Sequence, residues 1–424
     1  MSMKRKNELT QQIEDNKPLD KKKVIPRFIA FAFFLVLGVV CVIIGMNSYD
    51  KRETGLQTIE APADKDVPLY QVGVSFQHWF EGSSRDIKLG VNTLTELYSG
   101  ALKDAFRLLD AETEYEGWSN LATLNQNRGR EVVVPKALYE ALRQAETMTR
   151  QGQVYNLFAG ALYAEWESLR YQLEPAETDP ATDPAEAERL ERLASATSDL
   201  SNFSLEFLDD AACKLRFTVS QDYLDLLAEL ELSEVPILDF NVLKDAFKLQ
   251  MTADRLEARG YDRGFLATES GLTLALSAYT DGGDFALFGP NEGQAALAAG
   301  CSVTPGSAAA QLRAFGVAEE PGYYALELEG ETLLRHPWLP ADGSYREVLY
   351  AALTVGKGKS LPETCYACLT LFAAETAAEA KAAAPALSGF DTALLLREAP
   401  QTVFVTTPEL LPCRENGYET EPLS

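Results

Sequence analysis

Apolar positions crowd one short stretch of this chain and then spread into periodic patterns. Phe28 to Met46 is an apolar run of 19 residues, FIAFAFFLVLGVVCVIIGM, with no charge inside it. At a helical rise it reaches roughly 28 Å, against a bilayer hydrocarbon thickness of about 30 Å. A helix of a soluble domain is seldom apolar all round, so the run predicts a membrane span over 28–46. Beyond it, 47–67 is polar and reads as a tether. Leu69–Phe76 alternates like a strand, and Val91–Leu109 places Leu94, Leu97, Ala101, Leu102, Ala105 and Leu108 at helical spacing. A helix is expected over Pro135–Thr149, with Leu138, Leu142 and Ala145 on one face and proline at its first position. Residues 173–188 (LEPAETDPATDPAEAE) read as an acidic loop, with a helix following from about Ala185. Lys214–Val219 and Leu224–Leu232 read as a strand pair, and Thr252–Arg259 as a helix stopped by Gly260. Short strands fill Gly264–Val355; a helix over Glu363–Ala383 precedes Pro385, and Thr402–Thr406 closes as a strand. Helices and strands mix without strict βαβ alternation, which predicts an α+β fold.

Charge orients the predicted span. Eight cations precede it, four of them (Lys21, Lys22, Lys23 and Arg27) close to the membrane, and such clusters stay cytoplasmic. Residues 1–27 are then a cytoplasmic tail and 68–424 a single large extracytoplasmic domain. A cleaved signal peptide has a shorter apolar core and a small-residue cleavage site; here the run ends Gly45-Met46-Asn47. Lipoprotein processing at Cys41 is disfavoured by Val40 before it and by the apolar residues after it. The whole chain carries −25, and residues 1–46 hold eight cations and four anions, so the remainder carries −29. Such a surface repels nucleic acid and anionic lipid. Five widely spread exterior cysteines do not form a disulfide framework. Two histidines, His78 and His336, nearly exclude a multi-histidine zinc site.

Five blocks, in order, carry a resemblance. The first is Ser119-Asn120-Leu121-Ala122-Thr123-Leu124-Asn125, and the second is Ala145 to Trp166, which contains YNLFAGALYAEW. The third runs from Val235-Pro-Ile-Leu-Asp239 through Lys244 and Lys248 to Asp254, and the fourth contains His336. The fifth is Cys365-Tyr366-Ala367-Cys368-Leu369-Thr370. Together, from about Leu69 to Ala380, they resemble the ApbE-type flavin transferases, which move FMN from FAD to a threonine of an acceptor protein. The first block matches that family's Ser-x-Ile/Leu-x-x-Ile/Leu-Asn signature. The second resembles Phe-Asp-Pro-Thr-Val-Gly-Pro-Leu…Trp, with Gly160, Leu162 and Trp166 in step.

The resemblance implies an ApbE-like domain whose flavin cleft is lined by Ser119, Asn125, Asn156, Gly160 and His336. Trp118, Tyr155, Phe158 and Tyr163 are aromatics of the kind that wall an isoalloxazine, and any single one of them is more often an ordinary core residue. Lys244, Lys248 and Asp254 are the phosphate-side candidates. The family's glycines are missing there, and with them the close backbone approach that a pyrophosphate uses. In the fifth block the family has Ala-Asp-Ala-Leu-Ala-Thr, whose Asp and Thr help to hold Mg²⁺. Thr370 remains, while Tyr366 stands where the acid belongs. A phenol, ordinary pKa about 10, is a poor stand-in for a carboxylate. Asp254, Asp281 and Asp284 are candidate replacement ligands, the last in a Gly282-Gly283-Asp284 turn that resembles one in the family and is equally an ordinary hairpin turn. Three readings result. One is a catalytically impaired homologue that binds FAD or a partner, its Mg²⁺ site doubtful. The second is an active Mg²⁺-dependent transferase serving a membrane redox protein, the flavoprotein acceptor. The third is a thiol-redox protein using Cys365 and Cys368.

Overall fold

The computed structural model describes residues 53–152, 154–169, 179–280, 282–291, 294–315, 324–328, 331–335 and 348–423. The predicted tail and span, the first part of the acidic loop, Asp281 and His336 lie outside the described residues. Among the described residues no helix is long and apolar enough to cross a membrane.

The chain divides into two compact units. In the smaller, the described part is residues 53–54 and 81–89, where Ser83 caps a helix by bonding to Asp86 through both its backbone N–H (3.3 Å) and its carboxylate (2.6 Å). The larger, Gly55–Phe80 and Gly90–Ser424, holds everything that follows except the first residues of α1, Ser84–Leu89.

In chain order the elements are β1 (Gly55–Ile59), β2 (Val74–Phe80), α1 (Ser84–Leu109), α2 (Leu121–Gln126), β3 (Glu131–Val133), α3 (Lys136–Gln151) and α4 (Gly160–Leu169). Then come α5 (Pro184–Ser198), β4 (Phe203–Asp209), β5 (Lys214–Val219), α6 (Gln221–Glu229) and α7 (Lys244–Glu257). The strands β6 (Gly264–Thr268), β7 (Leu272–Ala275), β8 (Asp284–Asn291), β9 (Gln294–Ser302), β10 (Ser307–Arg313), β11 (Tyr324–Leu328), β12 (Glu331–Arg335) and β13 (Leu349–Lys357) follow. The chain closes with α8 (Leu361–Phe372), α9 (Ala377–Ala386), β14 (Phe390–Leu396), β15 (Thr402–Val405), β16 (Leu411–Pro412) and β17 (Glu419–Pro422).

Nine of these strands form one sheet in the order β1-β2-β6-β7-β10-β13-β14-β15-β17, antiparallel except for the last pair. A strand shows alternate side chains to opposite faces, and this sheet uses both. On one face Ala309, Ala351, Leu353 and Val355 pack on Phe285 and Leu287 of the smaller sheet β16-β9-β8. On the other, α8 packs on β7, β10 and β13, and α7 packs on β6, β7 and α8. The fold is α+β, as the mixed pattern predicts.

Five elements differ from the sequence reading. The strand read over Leu69–Phe76 is turn as far as Gly73, with Leu69 at φ +68°, and extends only from Val74 to Phe80. Gly55–Ile59, inside the segment read as a tether, is an edge strand paired with β2. Leu224–Leu232 falls largely in a helix: Ser220 caps α6 at Tyr223 N–H (3.2 Å), and Tyr223 and Leu227 turn to the core one turn apart. The helix read from Thr252 begins two turns earlier, at Lys244. The single helix over Glu363–Ala383 is two, because Thr376 caps a second start by accepting from Glu379 N–H.

Candidate functional site

The first block is fixed by an asparagine. Asn120 caps α2, its side chain accepting from Thr123 N–H at 3.1 Å and donating to the carbonyls of Arg107 (2.9 Å) and Thr113 (2.7 Å). The loop so formed presents Trp118 and Ser119 half-buried. The Arg107 guanidinium lies over both the Tyr115 and Trp118 rings, 5.7 and 5.6 Å from their centroids. Tyr115 donates to Asp110 at 2.7 Å. Burial, then the bond to Asp110, raises its phenol above the ordinary value.

Asn125 ties this block to the third. Its amide nitrogen donates to Ala111 O (3.2 Å) and Leu238 O (2.9 Å), and its oxygen accepts from the N–H groups of Ile237 (3.3 Å) and Leu238 (2.8 Å). Every one of these partners is backbone. Asn125 therefore shapes the cleft wall, its amide capacity already used by the fold.

The second block meets the same segment from the other side. Gly160 N–H donates to Ile237 O at 3.0 Å, and a Cβ at Gly160 would come 2.4 Å from Pro236 O. Asn156 is a brace: its Oδ1 accepts from Phe158 N–H (2.9 Å), its Nδ2 donates to Thr197 O (2.8 Å), and its carbonyl receives Asn241 Nδ2 at 2.9 Å. Phe158 is core, stacked on Phe203 at 4.8 Å. Tyr155 is buried beside Asp239, and burial raises its phenol well above the ordinary range.

Asp239 keeps part of its surface in solvent although protein atoms crowd it. Desolvation raises its carboxyl, the Lys244 ammonium opposes that rise, and Glu167 and Asp110 reinforce it. These residues therefore share one neighbourhood. The other phosphate-side candidates do not join it. Lys248 is buried and paired with Asp245 at 2.7 Å. Asp254, ten residues past Lys244, lies about 15 Å along the helix. It accepts from Gln250 Nε2 (2.8 Å), whose Oε1 accepts from Leu361 N–H (2.9 Å) at the start of α8.

The fifth block reaches the second through α8. Ser360 and Glu363 form a capping box, and Gln144 of α3 donates to Ser360 Oγ at 3.1 Å. Tyr366 rests its hydroxyl against Gly152 at the end of α3, where an added Cβ would stand 3.0 Å from it. Thr370, one turn on, donates to Ala367 O at 2.7 Å. Thus the N-terminal and C-terminal blocks converge, with Tyr366 between them.

The proposed replacement ligand is elsewhere. Asp284 opens β8 and accepts from Ser302 Oγ at 3.2 Å. The strand β8 packs on the Leu353 face of the central sheet, whereas Cys368 of α8 meets Thr354 on the opposite face. The alternation of β13 puts a sheet between Asp284 and Thr370. Among the described residues no three His, Cys, Asp or Glu side chains are grouped to hold a metal. Cys365 and Cys368 are both buried and unbridged. Burial pushes the Cys365 thiol well up and the Cys368 thiol to about 12, the reverse of what an exchanging thiol needs.

Sequence reasoning missed Asp110, Tyr115, Asn120 and Asn241. Asn120 had a readable signal, the Asn-x-x-Thr spacing of a cap. The others become neighbours only through contacts between distant segments.

No family model and no curated protein matches the chain. Solved structures do. The ApbE protein of Thermotoga maritima is similar at a TM-score of 0.56 and 13% identity, over 81% of this chain and 95% of that one. The flavinyl transferase ApbE of Pseudomonas stutzeri, in its apo form, gives 0.50 and 14%, over 82% and 93%. The flavin transferase ApbE of Vibrio cholerae gives 0.51 and 11%, over 84% and 96%. At these identities the likeness is one of fold, and it spans nearly the whole of each relative. The chain has the fold of the ApbE-type flavin transferases, the fold that its ordered blocks implied.

Proposed function

We propose that this chain is a membrane-anchored, extracytoplasmic ApbE-like domain that binds flavin without metal-assisted FMN transfer. The anchor rests on the 19-residue apolar run and its basic flank. Flavin as ligand rests on the ApbE fold, on the ordered blocks, and on a cleft neighbourhood where Trp118, Tyr155, Asp239 and Lys244 stand on the segments those blocks contribute.

One observation carries the loss of transfer: Tyr366 occupies the position of the expected carboxylate and turns its hydroxyl to Gly152. Mg²⁺ takes hard oxygen ligands, with one or two carboxylates as a rule. Thr370 Oγ1, which donates to Ala367 O and keeps its lone pairs, is a single neutral oxygen; Asp284 is across the sheet, and Asp254 accepts from Gln250 Nε2. The residues present do not fit the ion, so no step is routed through it. The relatives bear the printed name flavin transferase; a membrane redox protein as acceptor would accompany transfer only if a carboxylate enters the site from elsewhere.

The test uses the full chain in detergent. FAD fluorescence is titrated with and without Mg²⁺, and AMP release, by transfer of FMN to an added threonine-bearing flavoprotein acceptor or by hydrolysis, is followed by chromatography. The expected result is FAD quenching of the same midpoint in both conditions and no AMP. Mg²⁺-dependent AMP release would overturn the proposal. Tyr366→Asp is then the informative variant, since it returns the carboxylate and should make FAD binding respond to Mg²⁺.

A further inference from the structure

The nine-stranded sheet ends on two unlike edges. One is β17, along which Glu419, Glu421 and Pro422 are set. Charge and proline blunt an edge strand against further pairing. The other edge is β1, Gly55-Leu56-Gln57-Thr58-Ile59, which carries neither. The ladder decides which of its backbone groups point outward. In β2, Trp79 N–H donates to Arg263 O at 2.7 Å, and Gly73 O accepts from Glu269 N–H at 2.9 Å. The odd-numbered residues of β2 therefore bond toward β6. The even-numbered ones, Phe76, His78 and Phe80, bond toward β1, where they stand opposite Ile59, Gln57 and Gly55. An antiparallel ladder alternates, so Leu56 and Thr58 turn their N–H and C=O groups to the open side. Neither backbone has a further partner among the described residues. Thr58 is exposed and Leu56 half-buried.

These outward groups are self-complementary. They lie symmetrically about Gln57, so a second β1 laid antiparallel sets Leu56 of each copy opposite Thr58 of the other. Each such pair exchanges both of its hydrogen bonds, and no outward group of either strand is left over. Neither strand brings charge to the seam, although the whole chain carries −25. The chain before β1 supplies the encounter. Residues 47–54 separate the apolar run from Gly55, a reach of at most about 28 Å. Two anchored copies hold their β1 edges in one thin layer above the bilayer, and such confinement acts as a raised effective concentration. Each Gly55 stands about 7 Å from the axis, two residues along a strand, so both tethers can enter the same membrane.

We propose that β1 pairs antiparallel with the β1 of a second copy of this chain, about a twofold axis at Gln57. The two nine-stranded sheets then continue as one. The pairing is independent of flavin. It rests on the membrane anchor proposed above, which supplies the local concentration that so short a seam needs.

The test is disulfide trapping of the full chain in native membranes, with the wild-type chain and its own cysteines as background. At the axis the two Gln57 residues form a non-hydrogen-bonded pair, their Cα atoms about 4.5 Å apart, within the span of a disulfide. Gln57→Cys should give a cross-linked dimer on mild oxidation. Thr58→Cys should stay at background, because the two Thr58 positions are diagonal neighbours about 7–8 Å apart. Thr58→Pro, added to Gln57→Cys, removes one outward N–H from each copy and leaves the β1–β2 ladder whole. The dimer yield should fall about tenfold or more, with the melting temperature unchanged, since an edge strand tolerates proline. Where Thr58→Pro unfolds the protein, Thr58→Lys blunts the same edge with charge and should lower the yield in the same direction. Equal cross-linking at positions 57 and 58, or a yield that survives the edge substitution, overturns the pairing. Chain that stays in the membrane pellet after carbonate extraction and gives no dimer overturns the pairing and leaves the anchor standing. Chain found outside the pellet overturns the anchor, and the pairing falls with it.

Discussion

At the scale of single residues, the cleft is built by side chains whose work is to hold backbone. Gly160 and Asn125 grip the same segment, Pro236–Leu238, from two directions. Gly160→Ala drives a Cβ to 2.4 Å from a carbonyl oxygen that cannot retreat without breaking the Asn125 bonds. Such overpacking costs about 1–3 kcal/mol. Asn125→Ala strands two buried N–H groups, at about 1–3 kcal/mol for a lost partner. Urea midpoints of the two variants should fall accordingly. The double variant should lose less than the sum, because each change already frees the segment that the other strains; strict additivity would show that the two contacts are independent. None of this is visible along the chain. Asn125 and Leu238 are 113 residues apart, and the Asn that reads as a flavin contact proves to spend its amide on backbone. Gly160 was legible as a marked position, while the reason for it, close approach of Pro236, was not.

At the scale of elements, periodicity was a good guide where a helix has a clean apolar stripe, and a poor one where charge or short length blurs the stripe. The helix expected over Pro135–Thr149 appears as Lys136–Gln151, with Leu138, Leu142 and Ala145 buried. The first two turns of α7 escaped notice because no side chain caps it and Lys244, Asp245 and Lys248 break the pattern with charge. The short leucine-rich run of α6 fits a strand or a helix equally by composition, and its Ser220 cap decides. The CxxC pattern of α8 misleads in the same way. A one-turn helix spacing puts Cys365 and Cys368 against the sheet, 1% and 0% exposed, instead of at a reactive helix start. Alkylation of the native protein with iodoacetamide at pH 8 should therefore mark Cys213 and Cys413 among the described cysteines, mark Cys301 slowly because burial and then Asp391 raise its thiol to about 11, and reach Cys365 and Cys368 only after denaturation. Rapid native labelling of either α8 thiol, read by peptide mass spectrometry, would contradict that packing.

At the scale of the whole molecule, the acidic exterior shapes both partners and stability. A chain of −25 repels nucleic acid and anionic lipid at neutral pH, and many of its surface carboxylates are answered one by one. Asp64 by Lys103, Glu131 by Lys214 and Asp210 by Tyr139 and Arg143 are held below the ordinary carboxylate range. These exposed groups favour the folded state at neutral pH and lose that effect as acid protonates them. Asp239 runs the other way. Desolvation raises its folded-state pKa above the ordinary 3.8, against the pull of Lys244 and with the help of Glu167 and Asp110. A raised carboxyl favours folding in its protonated form, and that contribution disappears as pH climbs through the folded value. Wild-type protein thus carries a penalty at neutral pH that Asp239→Asn lacks, about 1.4 kcal/mol for each unit of elevation. The variant should melt higher than wild type at pH 8, and the gap should close as pH falls toward 4. The paired surface carboxylates titrate in both proteins and cancel from the difference. A gap that stays constant with pH, or that widens in acid, would mean that Asp239 is ionised without penalty in the fold, and that its crowding by Tyr155 and Asn241 is not the desolvated environment that the cleft requires.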